Sequence, residues 1–180
     1  STYVPAILSG RAPGRMPETS IAELKLQIKQ AVADEKEKAI VLYVDSPGGE
    51  VTESDTIYRA VRAAREKKKV VVYMGSLAAS GGYYVSCGGN WIMANETTLT
   101  GSIGVIMQSF KYHDLFNKVG LETITFKSGQ FKDMMSGSRD MTQEEKDYVQ
   151  KMVMDTYGKF VGIVARERKL NEDDLRHGLA

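Results

Sequence analysis

Ser80 lies in the stretch GSLAASGGYYVSC, residues 75–87, with two alanines before it and two glycines after it. The stretch closes an apolar, strand-like run and opens a short helical one. A second glycine turn, DSPGG at residues 45–49, also falls where a strand pattern gives way to a helical pattern. The first turn of a helix has unpaired N–H groups and the positive end of the helix dipole, so it stabilises negative charge. A hydroxyl placed there can attack a carbonyl while nearby amides hold the oxyanion, an effect of about 3 to 4 kcal/mol per donor. Ala78, Ala79, Gly81 and Gly82 would let a substrate backbone approach Ser80 without obstruction. The plainer role for such a serine is an N-cap, worth about 1 kcal/mol. On this stretch alone, capping is the better-supported reading. The hydrolase elbow GxSxG is not matched, because Ala78 stands two residues before the serine.

A nucleophilic serine needs a base. His113, within YHDLFNKVG, and His177, near the end of the chain, both read as surface histidines. Lysine remains, since a lysine shielded from water can lose its proton near neutrality and accept another from a hydroxyl. The stretch TFKSGQFKDMM, residues 125–135, offers Lys127 and Lys132 just beyond a strand-like run. Spacing alone does not choose between them.

Several elements must position these groups. The first 18 residues hold three of the four prolines and read as an irregular arm. Ser20 and Glu23 form a capping box that opens a helix with Ile21, Leu24, Ile28 and Val32 on one stripe. The run AIVLYV is a strand. A helix comes next, from about Glu50 to Lys67, marked by Val51, Ile57, Val61 and Ala64. VVVYM is a second strand, so continuously apolar that burial on both faces is expected. WIMA, GVIMQSF and ETITF are further strand candidates, with a helix at YHDLFNKVG between the last two. Thr142 and Glu145 form another capping box, opening a long helix with Val149, Val153, Phe160 and Val164 on its inner side. Alternating strands and helices predict an α/β chain of layered βαβ units with a mostly parallel sheet, folded as a single domain over residues 1–180.

Composition narrows the field. The 180 residues carry 24 basic and 23 acidic side chains, a net charge of +1, so no electrostatic footprint for nucleic acid is present. The one basic cluster, EKKK at residues 66–69, reads as a solvated loop. A single cysteine, Cys87, excludes an internal disulfide, and with two histidines it leaves no ligand set for a structural zinc. Cys87 itself reads as a small buried residue. No apolar run is long enough to span a bilayer, and no basic segment followed by an apolar one opens the chain. The expectation is a soluble portion whose membrane anchor lies outside it.

Taken together and in order, VDSPGGEV, GSLAASGGYYVSC, LTGSIGVI and KSGQFKDMMSGSRDMTQEE resemble the signal peptide peptidase A family, the Ser/Lys members of the Clp-protease/crotonase superfamily. The likeness runs from about residue 20 to the end of the chain. It implies a Clp-protease/crotonase-like fold and a serine endopeptidase acting on cleaved signal peptides and similar apolar peptides. By the same resemblance Ser80 is the nucleophile, Lys132 the general base, and Ser102 the hydroxyl that orients the lysine amine. An oxyanion amide comes from Gly48 or Gly49 of the SPGG turn, with Gly81 as the second donor. Lys127 is then left with a structural or surface role.

The resemblance further implies that no cofactor is needed, since Lys132 can deprotonate Ser80 and later protonate the leaving amine. Ser80 and Lys132 in one chain match the short, single-domain form. Family members carry an N-terminal membrane anchor and a C-terminal strand and helix that would lie outside this sequence, and the extracytoplasmic face is the expected location. They also assemble into rings, which implies a homo-oligomer in which a neighbouring subunit supplies the lysine. Two other readings use the same framework. A crotonase-like acyl-CoA enzyme would use the paired amides to hold a thioester enolate, but no inward acidic pair is evident. A non-catalytic ring subunit would have no reason to keep Ser80, Lys132 and SPGG together.

Overall fold

The computed structural model describes residues 20–179. The expected N-terminal arm lies outside the described residues. Two compact units are present: one takes the described residues up to Gly104 and resumes at Phe160, and the other is Val105–Lys159.

The first unit is a parallel sheet covered by helices. Helix α1 (Ile21–Ala33) starts at the expected capping box, with the Glu23 amide donating to Ser20 Oγ at 3.2 Å and the Ser20 amide donating to Glu23 Oε2 at 3.2 Å. Strand β1 (Ala39–Ser46), helix α2 (Val51–Arg65) and strand β2 (Lys69–Ala79) come next in order. β1 and β2 run parallel from the Ala39–Lys69 pair to the Val44–Met74 pair. A right-handed helical crossover is the ordinary way to join such strands, and α2 supplies the connection. Two short strands, β3 (Trp91–Met93) and β4 (Leu99–Gly101), each pair in parallel with β2, at Val71–Tyr73 and at Leu77–Ala79. The sheet is therefore wholly parallel among the described residues, as expected.

Leu24 and Ile28 of α1 and Ile57, Val61 and Ala64 of α2 pack on Ile40, Leu42, Val44, Val70, Val72 and Met74 of the sheet. Burying each such aliphatic side chain stabilises the fold by about 1.5 to 3 kcal/mol. The expectation that β2 is buried on both faces is not met. Val70, Val72 and Met74 are buried, whereas Tyr73 is exposed and Val71 is half-buried. Helices cover one face of the sheet, and the other carries the Tyr43 and Tyr73 rings, 5.8 Å apart and tilted by 32°. Val51 is likewise exposed, at the first turn of α2, ahead of the stripe that meets the sheet.

The EKKK cluster is a turn with a structural task. Lys68 Nζ donates to the carbonyls of Ala31, at 2.7 Å, and Asp34, closing the C-terminal end of α1. Cys87 is buried, as expected, and burial pushes its thiol up to about 12.

The second unit holds helix α4 (His113–Lys118), a 3-10 turn at Gln130–Asp133, and the start of helix α5 (Gln143–Arg168). The Thr142–Glu145 capping box is present, with the Glu145 amide donating to Thr142 Oγ1 at 3.2 Å and the Thr142 amide donating to Glu145 Oε2 at 2.8 Å. GVIMQSF and ETITF, expected as strands, are irregular, and Ile106, Phe110, Ile124 and Phe126 are exposed. A strand persists only where a neighbour takes its N–H and C=O groups. Among the described residues neither run has one. No helix among the described residues is long and apolar enough to cross a membrane.

Leu42 is 1% exposed at the centre of the core. Leu42→Ala is expected to lower stability by about 3 kcal/mol in a urea unfolding titration. A loss below about 1 kcal/mol would mean that this helix-on-sheet contact is not where stability resides.

Candidate active site

The site is built at the C-terminal ends of β1 and β2. β1 ends in Ser46, fully buried, and its Oγ accepts the Gly48 amide at 3.2 Å. That bond folds Ser46–Gly49 into a tight turn. Gly48 sits at φ +105°, a left-handed conformation that a side chain resists. A Cβ there would stand 2.7 Å from the Gly81 nitrogen and 2.8 Å from Ser80 Cβ. The two glycine turns are thus pressed together, backbone against backbone. Gly81 and Gly82 complete the contact: a Cβ on Gly81 would overlap Ser54 Oγ and lie 3.1 Å from the Gly49 nitrogen, and one on Gly82 would lie 2.8 Å from the Ser46 carbonyl oxygen.

β2 reaches this point through an irregularity. Val44 pairs with Met74, but Ser46 pairs with Ala78, so β2 carries two extra residues opposite Asp45. The Asp45 carboxylate fills the gap by accepting the Leu77 amide at 2.9 Å, while Thr98 Oγ1 donates to the Gly75 carbonyl at 2.8 Å. Such bulges bend a strand and re-aim the residues beyond them. In β2 the residue re-aimed just past the strand end is Ser80.

Ser80 adopts φ 51° and ψ −118°, the backbone conformation of the first central residue in a type II′ turn, a position that favours glycine. Holding a non-glycine residue there costs on the order of 1 to 3 kcal/mol. Three contacts hold it. The Ser80 amide donates to the Gly101 carbonyl at 2.8 Å, adding a rung to the β2–β4 ladder, and the Ser80 carbonyl accepts the Tyr84 amide at 2.9 Å. Helix α3 (Gly81–Ser86) is fixed in turn by the Tyr84 ring, which packs edge-on against Tyr58 at 5.4 Å and against Phe160 at 5.0 Å, with its hydroxyl donating to Asp55 at 2.9 Å. Burial and that carboxylate raise the Tyr84 pKa well above the ordinary phenol value, so it remains a donor.

Ser80 occupies the N-cap position of α3 yet makes no side-chain capping bond. Capping, the reading that the stretch alone favours, therefore does not account for the hydroxyl. Ser80 is half-buried, so its hydroxyl is not sealed in the core. Ser102 comes directly after Gly101, the residue whose carbonyl receives the Ser80 amide, and it too has a positive φ, 51°. Ser102 is exposed.

The first unit therefore brings together Gly48, Gly49, Ser80, Gly81 and Ser102. Lys127 and Lys132 belong to the second unit. There they differ sharply. Lys127 Nζ is tied to Asp133 Oδ1 at 2.8 Å and to the Gln130 carbonyl at 3.3 Å. Lys132 is exposed, and its amine has no partner among the described residues. His113 Nε2 faces Asp114 at 2.9 Å within the second unit, and His177 is exposed.

Two residues escape a reading by motif. Ser46 shapes the SPGG turn, and its signal was local, a hydroxyl two residues before a glycine amide. Ser54 lies one turn into α2, 2% exposed, and its Oγ has no partner among the described residues although it abuts Gly81. No spacing rule connects residue 54 to residue 81. Among the described residues, no group of three or more His, Cys, Asp or Glu side chains could hold a metal ion.

A parallel α/β layer with strand ends converging on paired glycine turns is the framework of a Clp-protease/crotonase-like fold. Within that framework the chain belongs to peptidase family S49, whose sequence pattern matches residues 62–178. A Methanocaldococcus jannaschii protein named "Putative protease MJ0651" is 45% identical over 138 residues, covering 77% of this chain and 44% of its own length. An Enterococcus faecium protein named "Putative signal peptide peptidase SppA" is 40% identical over 152 residues, 83% of this chain and 44% of its own. The chloroplastic serine protease SPPA of Arabidopsis thaliana is 33% identical over 157 residues, 86% of this chain and 23% of its own. The chain thus spans about half or less of the length of these relatives.

Gly48→Ala is expected to lower the melting temperature by several degrees, because it combines a resisted φ with a clash against Ser80 and Gly81. Gly104, where a Cβ meets nothing within 4 Å, serves as the control. Equal effects of the two alanine substitutions would show that the turn contact is not close.

Proposed function

We propose that this member of family S49 is a serine endopeptidase with a Ser/Lys dyad, Ser80 as nucleophile and Lys132 as general base, acting on cleaved signal peptides and similar apolar peptides. The observation that carries the proposal is Ser80 itself: a non-glycine residue in a glycine conformation, released from capping, with glycine amides packed beside it. Strain that the surroundings over-determine is characteristic of functional positions. The names of the relatives, which include a serine protease and a signal peptide peptidase, support the serine type and the substrate class.

The neutral Lys132 amine takes the proton of the Ser80 hydroxyl as Ser80 Oγ attacks the peptide carbonyl. The tetrahedral oxyanion is held by the Gly81 amide and a turn amide of Gly48 or Gly49. The Lys132 ammonium then gives its proton to the leaving amine, and the acyl-enzyme forms. Water, deprotonated by Lys132, attacks the ester carbonyl, and the proton returns to Ser80 Oγ as the peptide acid leaves. Ser102 Oγ accepts a hydrogen bond from the lysine amine and points its lone pair at Ser80. The alanines and glycines around Ser80 leave room for an extended substrate backbone, with small pockets for alternate side chains. Ring assembly, in which a neighbouring copy completes each dyad, and tethering of the full-length protein at the extracytoplasmic face of a membrane, belong to the same proposal.

Ser80→Ala and Lys132→Ala are each expected to abolish cleavage of an apolar peptide and labelling by a fluorophosphonate, with far-UV circular dichroism unchanged. Full activity in Lys132→Ala with loss in Lys127→Ala would overturn the choice of base. Mixing the two inactive variants tests the shared dyad: if copies exchange lysines, part of the activity returns, and if each chain completes its own, none does.

A further inference from the structure

In the turn that carries Lys132, every side chain is anchored except that of Lys132, whose backbone amide donates to the Gly129 carbonyl at 3.2 Å. Gln130 Nε2 donates to Glu144 Oε2 at 3.1 Å. The Phe131 ring stacks on Tyr148 at 5.4 Å. Asp133 is gripped by the Arg139 guanidinium, with Nη2 to Oδ1 at 2.6 Å and Nε to Oδ2 at 3.0 Å, and Lys127 joins Oδ1 from the other end of the loop.

Arg139 is fully engaged. Its Nη1 donates to Glu145 Oε2 at 2.9 Å and to the Asp140 carbonyl at 2.8 Å, and its Nη2 reaches Glu145 Oε1 at 2.5 Å. Five N–H groups thus meet five acceptor sites, the full capacity of a guanidinium. Glu145 is the capping-box carboxylate of α5 and is 1% exposed on its side chain. Among the described residues of this unit, no apolar side chain is buried, and Glu145 is the one buried side chain. With no buried apolar core, the Arg139 fork joins the Gln130–Glu144 bond and the Phe131–Tyr148 stack in linking the 3-10 turn to the start of α5. Each carboxylate is held well below its ordinary value by that guanidinium, Glu145 at about 2.

We propose that Arg139 is a positioning residue for Lys132, acting through Asp133 and Glu145. This rests on the reading of Lys132 as the general base. A fork that bridges two carboxylates fixes both the distance and the orientation of the turn, which a lysine at the same place could not do. Displacing a catalytic group by about 1 Å costs on the order of 100-fold in rate. A support that touches neither substrate nor nucleophile should act on kcat and leave KM alone.

The test compares wild type, Lys132→Ala, Arg139→Gln and Arg139→Lys on one apolar peptide, well below their melting temperatures. Arg139→Gln is expected to lower kcat by about 10- to 100-fold with KM within threefold, to slow fluorophosphonate labelling in proportion, and Arg139→Lys is expected not to restore it. An unchanged kcat, a loss seen only in KM, or full rescue by Arg139→Lys would overturn the positioning role. Glu145→Gln, which keeps volume and cuts one arm of the fork, carries the same criteria if Arg139→Gln fails to fold. Lys132→Ala separates the two readings: an inactive Lys132→Ala beside a fully active Arg139→Gln refutes only the support, whereas an active Lys132→Ala refutes the base and the support with it.

Discussion

The close approach of two glycine turns is the constraint on which the rest of the site depends. A Cβ on Gly48 has no room against Gly81 and Ser80, one on Gly81 is blocked by Ser54 Oγ, and one on Gly82 is blocked by the Ser46 carbonyl. Backbone, not side chain, is what this contact brings beside Ser80. An amide held by the main chain of two turns needs no reorganisation when charge develops beside it, which is why such donors are effective in catalysis. The cost is specificity of sequence: Gly48, Gly81 and Gly82, in two short stretches, have no room for a side chain.

Ser80 is the second half of that constraint. Its backbone would relax toward an ordinary helical or extended geometry if left to itself. The Gly101 rung, the Tyr84 amide and the aromatic packing of α3 prevent it. Further back, the two-residue bulge in β2 sets where the strand ends, and Asp45 stabilises the bulge by taking an amide that the ladder leaves over. The chain of cause runs from a carboxylate in β1, through an irregular strand, to the direction of one hydroxyl.

Much of the fold was legible in the residues. Both capping boxes, the order of the central strands and helices, and the stripes of α1 and α2 are set by local rules, and the two glycine turns announced themselves by composition. Other features depend on partners distant in sequence. VVVYM looks the same whether one face or two are covered, because hydrophobicity records affinity for a core and not the number of layers. β4 is three residues long and takes its identity from β2, more than 20 residues away. GVIMQSF and ETITF have strand-like residues but no partner for their backbones among the described residues. Ser54 sits opposite Gly81 only because α2 and α3 meet there. Capping, the favoured local reading of Ser80, does not hold: the position is a cap, but at φ 51° and ψ −118° the side chain makes no capping hydrogen bond.

The two units keep their shape by different physics. In the first, aliphatic burial under α1 and α2 makes a framework that is insensitive to charge, and the amides and serine hang from it. In the second, guanidinium and ammonium groups bridge carboxylates, Phe131 stacks on Tyr148, and no apolar side chain among the described residues is fully buried. A polar clamp of this kind has geometry as strict as a core but loses it when a carboxylate is protonated. Glu145 is held at about 2, below its ordinary value of 4.5, so the clamp is fully charged above about pH 4.5 and weakens as pH falls toward 2. At neutral and alkaline pH, where a lysine base would work, the clamp is intact.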